Sequence, residues 1–186
     1  MKDQGKCLRW AMLAVAASLA AGSAQAGETQ VAMRVGKNWI RISNGNLTRD
    51  EGVKDRMLAL GFTLAYRWDN GAYIEAGTAQ ADEIELFNFD IQKVEHHWLG
   101  GGWQFELDEK WRLTPKAGMT YSVLESDTAD FIDDGPTERL HAVVPFAELA
   151  LERRFRTVFS LGVYARQNFE EWGSTRNLGL SFSWHW

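Results

Sequence analysis

The chain has 186 residues, is 45% hydrophobic and 12% aromatic with nine Trp, and carries a formal net charge of −5. An acidic chain without a basic run is a poor nucleic-acid partner, and this aromatic content is far too high for a disordered export product. The single cysteine, Cys7, sits near the start, so a disulfide framework, a cysteine metal site and a thiol nucleophile are all excluded from the rest of the chain.

Met1 to Ala26 reads as a cleaved secretory signal. Lys2, Lys6 and Arg9 form a positive start, Trp10 to Ala21 is an apolar run too short to span a bilayer, and Ala24-Gln25-Ala26 is a small-residue cleavage site. Cys7 precedes the apolar run, so it is misplaced for a lipoprotein attachment site and leaves with the signal. Residues 27–186 then form one domain, more acidic than the whole chain because three bases and one acid leave with the signal.

Hydrophobicity in that domain alternates with period two, the signature of strands. The first strand starts at Val31, Met33 and Val35; its parity slips near Lys37 before Ile40 and Ile42, which predicts a bulge. Leu58 to Trp68 is the clearest strand, with Leu58, Leu60, Phe62, Leu64, Tyr66 and Trp68 on one face and Ala59, Gly61, Thr63, Ala65 and Arg67 on the other. Ala72 to Ala79 follows, then a strand from about Lys93 that ends in Trp103, Phe105 and Leu107. Trp111 to Val123, Val143 to Leu151, Thr157 to Ala165 and Leu178 to Trp186 complete a set of eight. No helix is predicted after the signal. Asp69-Asn70-Gly71, Asp108-Glu109-Lys110 and Arg153 to Arg156 are tight turns, since Asn and Gly tolerate positive φ. Ser43 to Arg56, Gln80 to Gln92, Leu124 to Glu138 and Asn168 to Arg176 are long connections. Alternating short and long connections describe an up-and-down meander, which removes its exposed edges by closing.

Three features place the apolar face outside. The opposite face is mostly small (Gly61, Thr63, Gly118, Thr120, Ser122, Ser160, Gly162, Gly179, Ser181, Ser183), as a crowded eight-stranded lumen requires. Its charges are sparse and of both signs. Aromatics (Tyr66, Trp68, Trp103, Phe105, Trp111, Phe155, Trp184, Trp186) gather at the short-turn ends, where a membrane-interface girdle belongs. The fold class is therefore an all-β, eight-stranded, antiparallel, up-and-down transmembrane β-barrel. A lipocalin-like soluble barrel, with the apolar face inside, is the alternative.

At Gly61 to Gly77 (GFTLAYRWDNGAYIEAG) the sequence resembles the strand–turn–strand hairpin of small bacterial outer-membrane barrels of the OmpA-membrane-domain and OmpX type. Its last residues, LGLSFSWHW, resemble that family's C-terminal strand, and the resemblance implies that Phe182, Trp184 and Trp186 form the signal read by the barrel assembly machinery, with Trp186 in place of the usual Phe. It further implies a monomer in the bacterial outer membrane, both termini periplasmic, in contact with membrane lipid and lipopolysaccharide and open to an unknown surface partner.

Candidate chemistry is sparse. A lipid A deacylase family of this barrel size carries His-x-Ser-Asn on a late strand, but none of His96, His97, His141 and His185 is followed in that way. Ser183-Trp184-His185 is the nearest match and lies at the short-turn end, whereas a lipid A enzyme needs its nucleophile at the long-loop end. His96 and His97 are adjacent in a strand and face opposite ways, so they cannot share one metal ion. The acidic connection Leu124 to Glu138 lacks the spacing of an EF-hand loop. Ile84, Leu86, Phe87 and Phe89 in the preceding long connection extend the wall, cover the mouth or meet a partner. No catalytic residue, cofactor or metal is assigned. The lumen charges Arg67, Glu75, Arg112, Lys116, Glu148, Glu152 and Arg166 are expected to pair, the four bases with the three acids, alongside Tyr73 and Tyr164, because an ion in a narrow low-dielectric space needs a partner. The expected function is non-enzymatic: envelope integrity, surface interaction or adhesion through acidic loops. A lipid A-modifying enzyme and a periplasmic ligand-binding barrel are the alternatives.

Overall fold

The computed structural model describes residues 27–42, 57–83, 91–127, 129–130, 133–134, 138–156, 158–170 and 173–186. The expected signal segment, the first long connection, the patch Ile84, Leu86, Phe87 and Phe89, and the acidic side chains of the Leu124 to Glu138 connection lie outside the described residues. Eight long strands make the wall: β1 Gly27–Ile42, β2 Met57–Trp68, β3 Ala72–Glu83, β4 Ile91–Trp103, β5 Trp111–Asp127, β6 Glu138–Arg156, β7 Phe159–Asn168 and β8 Gly173–His185. A two-residue piece, Phe105–Glu106, pairs with the start of β5, and a small ladder joins Ala129–Asp130 to Asp133–Asp134 beyond the wall.

Each strand pairs antiparallel with its sequence neighbour, and β1 pairs with β8 over Gln30 to Ile42, so the sheet closes on itself. The seam reaches the chain end: Thr29 N–H donates to the Trp186 carbonyl (2.9 Å) and Trp186 N–H donates back to Thr29 (3.0 Å). Closure leaves no raw edge.

The short turns follow their chemistry. Gly71 adopts φ +89°, its N–H donates to the Trp68 carbonyl (2.9 Å), and Asn70 Oδ1 accepts from Ala72 N–H (2.9 Å). Asp108 Oδ1 accepts from the N–H groups of Lys110 and Trp111, both at 2.7 Å, and these donors hold its carboxyl below the usual carboxylate range. The third turn is shorter than expected, because β6 continues to Arg156 and β7 opens at Phe159. The register slips here, between Phe159 and Ser160. No bulge occurs near Lys37: β1 runs in unbroken register past Lys37↔Leu178 and Asn38↔Asn177. The apolar stripe is interrupted there because Lys37 occupies an outer position between Val35 and Trp39.

The outer face is apolar. Leu60 is 54% exposed, Phe62 60% and Leu180 47%, while Glu75 and Glu148 are 0% and 4% exposed inside. A soluble lipocalin-like barrel requires the reverse, and this band of large apolar side chains is stable only against hydrocarbon. Trp103, Phe105, Trp111, Phe155, Trp184 and Trp186 are exposed at the turn end, with Phe159 linking Phe155 (6.0 Å) and Trp184 (6.1 Å) between ring centroids. Tyr66 departs from the expected girdle: it is buried, edge-on to Trp68 at 5.0 Å.

Small inner residues make room for large ones one or two strands away. A Cβ on Gly118 would stand 2.8 Å from Phe146 Cε1, and one on Gly100 would stand 2.6 Å from Phe146 Cζ. Gly36 and Gly179 do the same for the Tyr164 hydroxyl. Interiors have no slack to absorb such overlaps.

Phe62 lies midway along β2 on the lipid face, so Phe62→Arg is expected to lower stability by about 2–4 kcal/mol. Denaturant unfolding in phospholipid vesicles measures this. The same change at Trp186, at the water interface, is expected to cost about 1 kcal/mol or less.

Candidate functional site in the filled lumen

The inward residues of six strands meet in one ion cluster. β1 contributes Arg34, β3 Tyr73 and Glu75, β4 Trp98, β5 Lys116, β6 Phe146 and Glu148, and β7 Tyr164 and Arg166. Lys116 Nζ lies 2.7 Å from Glu75 Oε2 and 3.1 Å from Glu148 Oε1. Arg34 donates from Nη1 to Glu148 Oε2 (2.8 Å) and from Nη2 to Glu75 Oε2 (3.3 Å). Arg166 donates from Nε to Glu148 Oε2 (2.6 Å) and from Nη2 to Glu75 Oε1 (3.1 Å). The Trp98 indole N–H donates to Glu75 Oε1 at 2.8 Å, and the Tyr73 hydroxyl donates to Glu75 Oε2 at 3.3 Å.

Three cations here face two carboxylates. Aromatic faces accommodate the excess positive charge. Arg166 lies 3.9 Å from the Trp98 ring centroid and 4.3 Å from that of Phe146, Arg34 lies 4.8 Å from that of Tyr164, and the Lys116 ammonium lies 4.9 Å from that of Tyr73.

A second layer closes the turn end. Glu28 is its hub: His185 Nδ1 lies at 2.8 Å, Arg154 Nη2 at 3.0 Å, Arg67 Nη2 at 3.1 Å and Arg112 Nη1 at 3.5 Å. Glu106 adds Arg67 (3.0 Å) and Arg112 (3.5 Å). Glu152 sits just inside and accepts from Gln30 (3.1 Å) and Ser183 (3.2 Å). A third layer lies toward the loop end. Asn177 donates to Asn38 (2.6 Å), Thr120 to Asn168 (3.4 Å) and Ser122 to Glu170 (3.3 Å), and Thr175 N–H donates to Glu170 (2.8 Å). Burial pushes the Glu170 carboxyl above its ordinary range, against the pull of these donors.

Of the seven charges singled out in the sequence, Glu75, Lys116, Glu148 and Arg166 come together. Arg67 and Arg112 do not join them; they point toward the turn end and pair with Glu28 and Glu106. Glu152 takes amide and hydroxyl donors. Arg34, Glu28 and the inward aromatics Trp98 and Phe146 were not foreseen. Arg34 was legible, since the alternation of Val31, Met33 and Val35 puts it inside. His96 turns inward to Ser122 (3.0 Å), and His97 turns outward to Thr78 (2.9 Å). Phe182 and Trp184 line the outer face of β8 beside Met33 and Val31 of β1, and Trp186 follows the end of the strand, exposed.

One arrangement at the turn end has the order of an acyl-transfer relay. The Ser160 hydroxyl is 2.6 Å from His185 Nε2, and His185 Nδ1 is 2.8 Å from Glu28. Hydroxyl, imidazole and carboxylate in that sequence can move a proton off an attacking oxygen. Ser160 is 2% exposed, however, and Arg154 stands against Glu28, so a carbonyl reaches the hydroxyl only if this layer opens. Among the described residues no group of three His, Cys, Asp or Glu is arranged to hold a metal ion.

Removing one carboxylate from the central cluster strands three buried cations on the other. Glu148→Ala is therefore expected to cost about 3–5 kcal/mol, and Glu152→Ala, which frees only neutral donors, distinctly less. Equilibrium unfolding of both variants in one detergent checks the order.

Comparison with known proteins agrees with this geometry. Residues 11–185 match the family model described as outer membrane protein beta-barrel domain. No curated protein matches the chain. Among solved structures, Ail, the attachment invasion locus protein of Yersinia pestis, superposes with a TM-score of 0.65 at 13% identity, over 87% of this chain and 100% of that one. Neisserial surface protein A gives 0.60 at 10% identity over 86% and 95%. The N-terminal barrel of Pseudomonas aeruginosa OprF gives 0.54 at 10% over 86% and 99%. These likenesses are of fold. With the model match spanning nearly the whole barrel, the chain belongs to the outer membrane protein β-barrel domain family.

Proposed function

We propose that this chain is a non-enzymatic integral protein of the bacterial outer membrane, delivered by a cleaved signal peptide, that serves envelope integrity or surface attachment through its long loops. The observation that carries this reading is the filled lumen. The central cluster ties six of eight strands together, and further polar layers lie above and below it, an arrangement that suits a rigid peg rather than a conduit. The acidic content of the loop end, with Asp82 and Glu83 closing β3, Glu85 and Asp90 after it, Glu125 and Asp127 closing β5, Asp130, Asp133 and Asp134 after it and Glu138 opening β6, suits contact with cationic partners or with anionic lipopolysaccharide through divalent cations. No cofactor is required by this role. The barrel acts as a monomer, and Phe182, Trp184 and Trp186 offer the assembly machinery an aromatic edge.

The enzyme reading is favoured by one observation, the Ser160–His185–Glu28 relay. A fluorophosphonate probe separates the two: labelling of Ser160 in the folded protein, together with an altered acyl pattern of lipid A in cells, supports an enzyme.

Membrane fractionation with heat-modifiable gel migration is the direct test of the main reading. The protein is expected in the outer-membrane fraction, with a folded band that shifts on boiling. In planar bilayers the purified barrel is expected to give no large, steady conductance. Recovery wholly in a periplasmic extract, or a conductance like that of a wide porin, defeats the proposal.

A further inference from the structure

The outer wall carries one feature that the filled lumen does not explain. A trough of about 880 Å³ runs down the lipid face where β8, β7, β6 and β5 adjoin. Its small outward residues are Ala165 and Pro115, which flank Leu149 in one row of the sheet, and Ala147, the next outer residue of β6, which pairs with Gln167. Leu149 and Leu178 wall it in, and both are about half exposed. Its size lies within the range of small-molecule sites.

The loop end of the trough is basic. Trp39 and Arg176 line it, and they are register partners across the seam; Lys37 stands one outer position nearer the turn end on β1, opposite the lining residue Leu178. Arg176 donates to Gln167 (2.9 Å), and the Lys37 ammonium lies 5.0 Å from the Trp39 ring centroid. Among the described residues neither cation has a carboxylate partner. On β4, by contrast, Lys93 is neutralised by Glu95 at 2.7 Å. The described outer faces of β1, β8 and β7 bear no acidic side chain.

In a bilayer the trough alone selects nothing, because lipid tails are as apolar as its walls. Selection must come from the head. A guanidinium at the rim and an ammonium beside an acyl-sized trough match a phosphate from which an acyl chain descends. The long-loop end faces outward in this family's architecture, so the leaflet at this depth is the lipopolysaccharide leaflet. We propose that the trough binds lipid A, with a phosphate on Lys37 and Arg176 and one acyl chain along Ala165, Ala147 and Pro115. This rests on the membrane-barrel reading above. A second copy of the chain is a poorer fit, because its outer wall offers no described acidic patch on these strands to meet the two bases.

Native mass spectrometry of the refolded full-length barrel, with lipid A added to the micelles, tests the site. A one-to-one complex with bisphosphorylated lipid A is expected. Retention is expected to fall about 25-fold in the double variant Lys37→Glu, Arg176→Glu, from about fivefold per base, and to be unchanged in Lys93→Glu. Ala147→Trp, which fills the trough without touching charge, is expected to lower it as well. In the unaltered protein, dephosphorylated lipid A is expected to bind distinctly more weakly, a comparison that needs no variant to fold. Equal retention of both lipid forms, equal retention by the double variant, full competition by phosphatidylglycerol, or a dimer in place of the lipid complex would each overturn the proposal. Heat-modifiable migration of the same samples keeps the two readings apart: a folded barrel without selective retention defeats only the trough, and an unmodified chain that never gives a folded band defeats the membrane reading itself.

Discussion

Two carboxylates, Glu75 and Glu148, sit at the centre of this barrel with no contact to water, and everything around them answers to that. A buried carboxylate without partners is untenable. Here each carboxylate meets Arg34, Lys116 and Arg166, and Glu75 also accepts from an indole and a phenol. Such a cluster is weak evidence for net stability, since hydrophobic packing of equal volume does as well. Its geometric effect is clearer. Because the partners come from six different strands, strand register and barrel shear must be right before the charges can meet. The cluster therefore specifies one arrangement of the wall, as the physics of mutually dependent pairs requires.

The same narrow lumen dictates the size of everything else inside. Trp98, Phe146 and Tyr164 are large, and each faces glycine on a flanking strand. Large and small residues thus interlock across the hollow while the charges lock it along its axis. Outside, no such fitting is needed, because lipid conforms to whatever surface it meets. This asymmetry explains why the outer stripe can tolerate the local dip formed by Ala165, Ala147 and Pro115.

How much of this was legible follows from which signal is local. Leu58 to Trp68 states its two faces outright, and its turn, Asp69-Asn70-Gly71, states its geometry. The eight strands and the inside-out arrangement follow from repeating that reading. Pairing partners are non-local and were less accessible. Arg67 and Arg112 carry the right charge and the right parity to join Glu75 and Glu148, yet they lie too near the turn end, and their depth depends on strand tilt, which alternation does not encode. Glu28 is the partner they find, at the first turn of the wall, where no alternation had yet been established. Trp98 and Phe146 were missed for a different reason. Apolarity points outward along most of the wall, and the glycines opposite them reveal that an aromatic fits inside.

The seam between Thr29 and Trp186 has a consequence for how the protein comes into being. Asn38 and Asn177, which bond across the same seam, are 139 residues apart in sequence. Ordering so long an intervening segment before its contacts reward it is slow. Until β8 has emerged from the ribosome, β1 has only one neighbour, so the wall cannot be completed during synthesis. An intact barrel therefore needs the whole chain at once, because its first and last strands complete each other's hydrogen bonding.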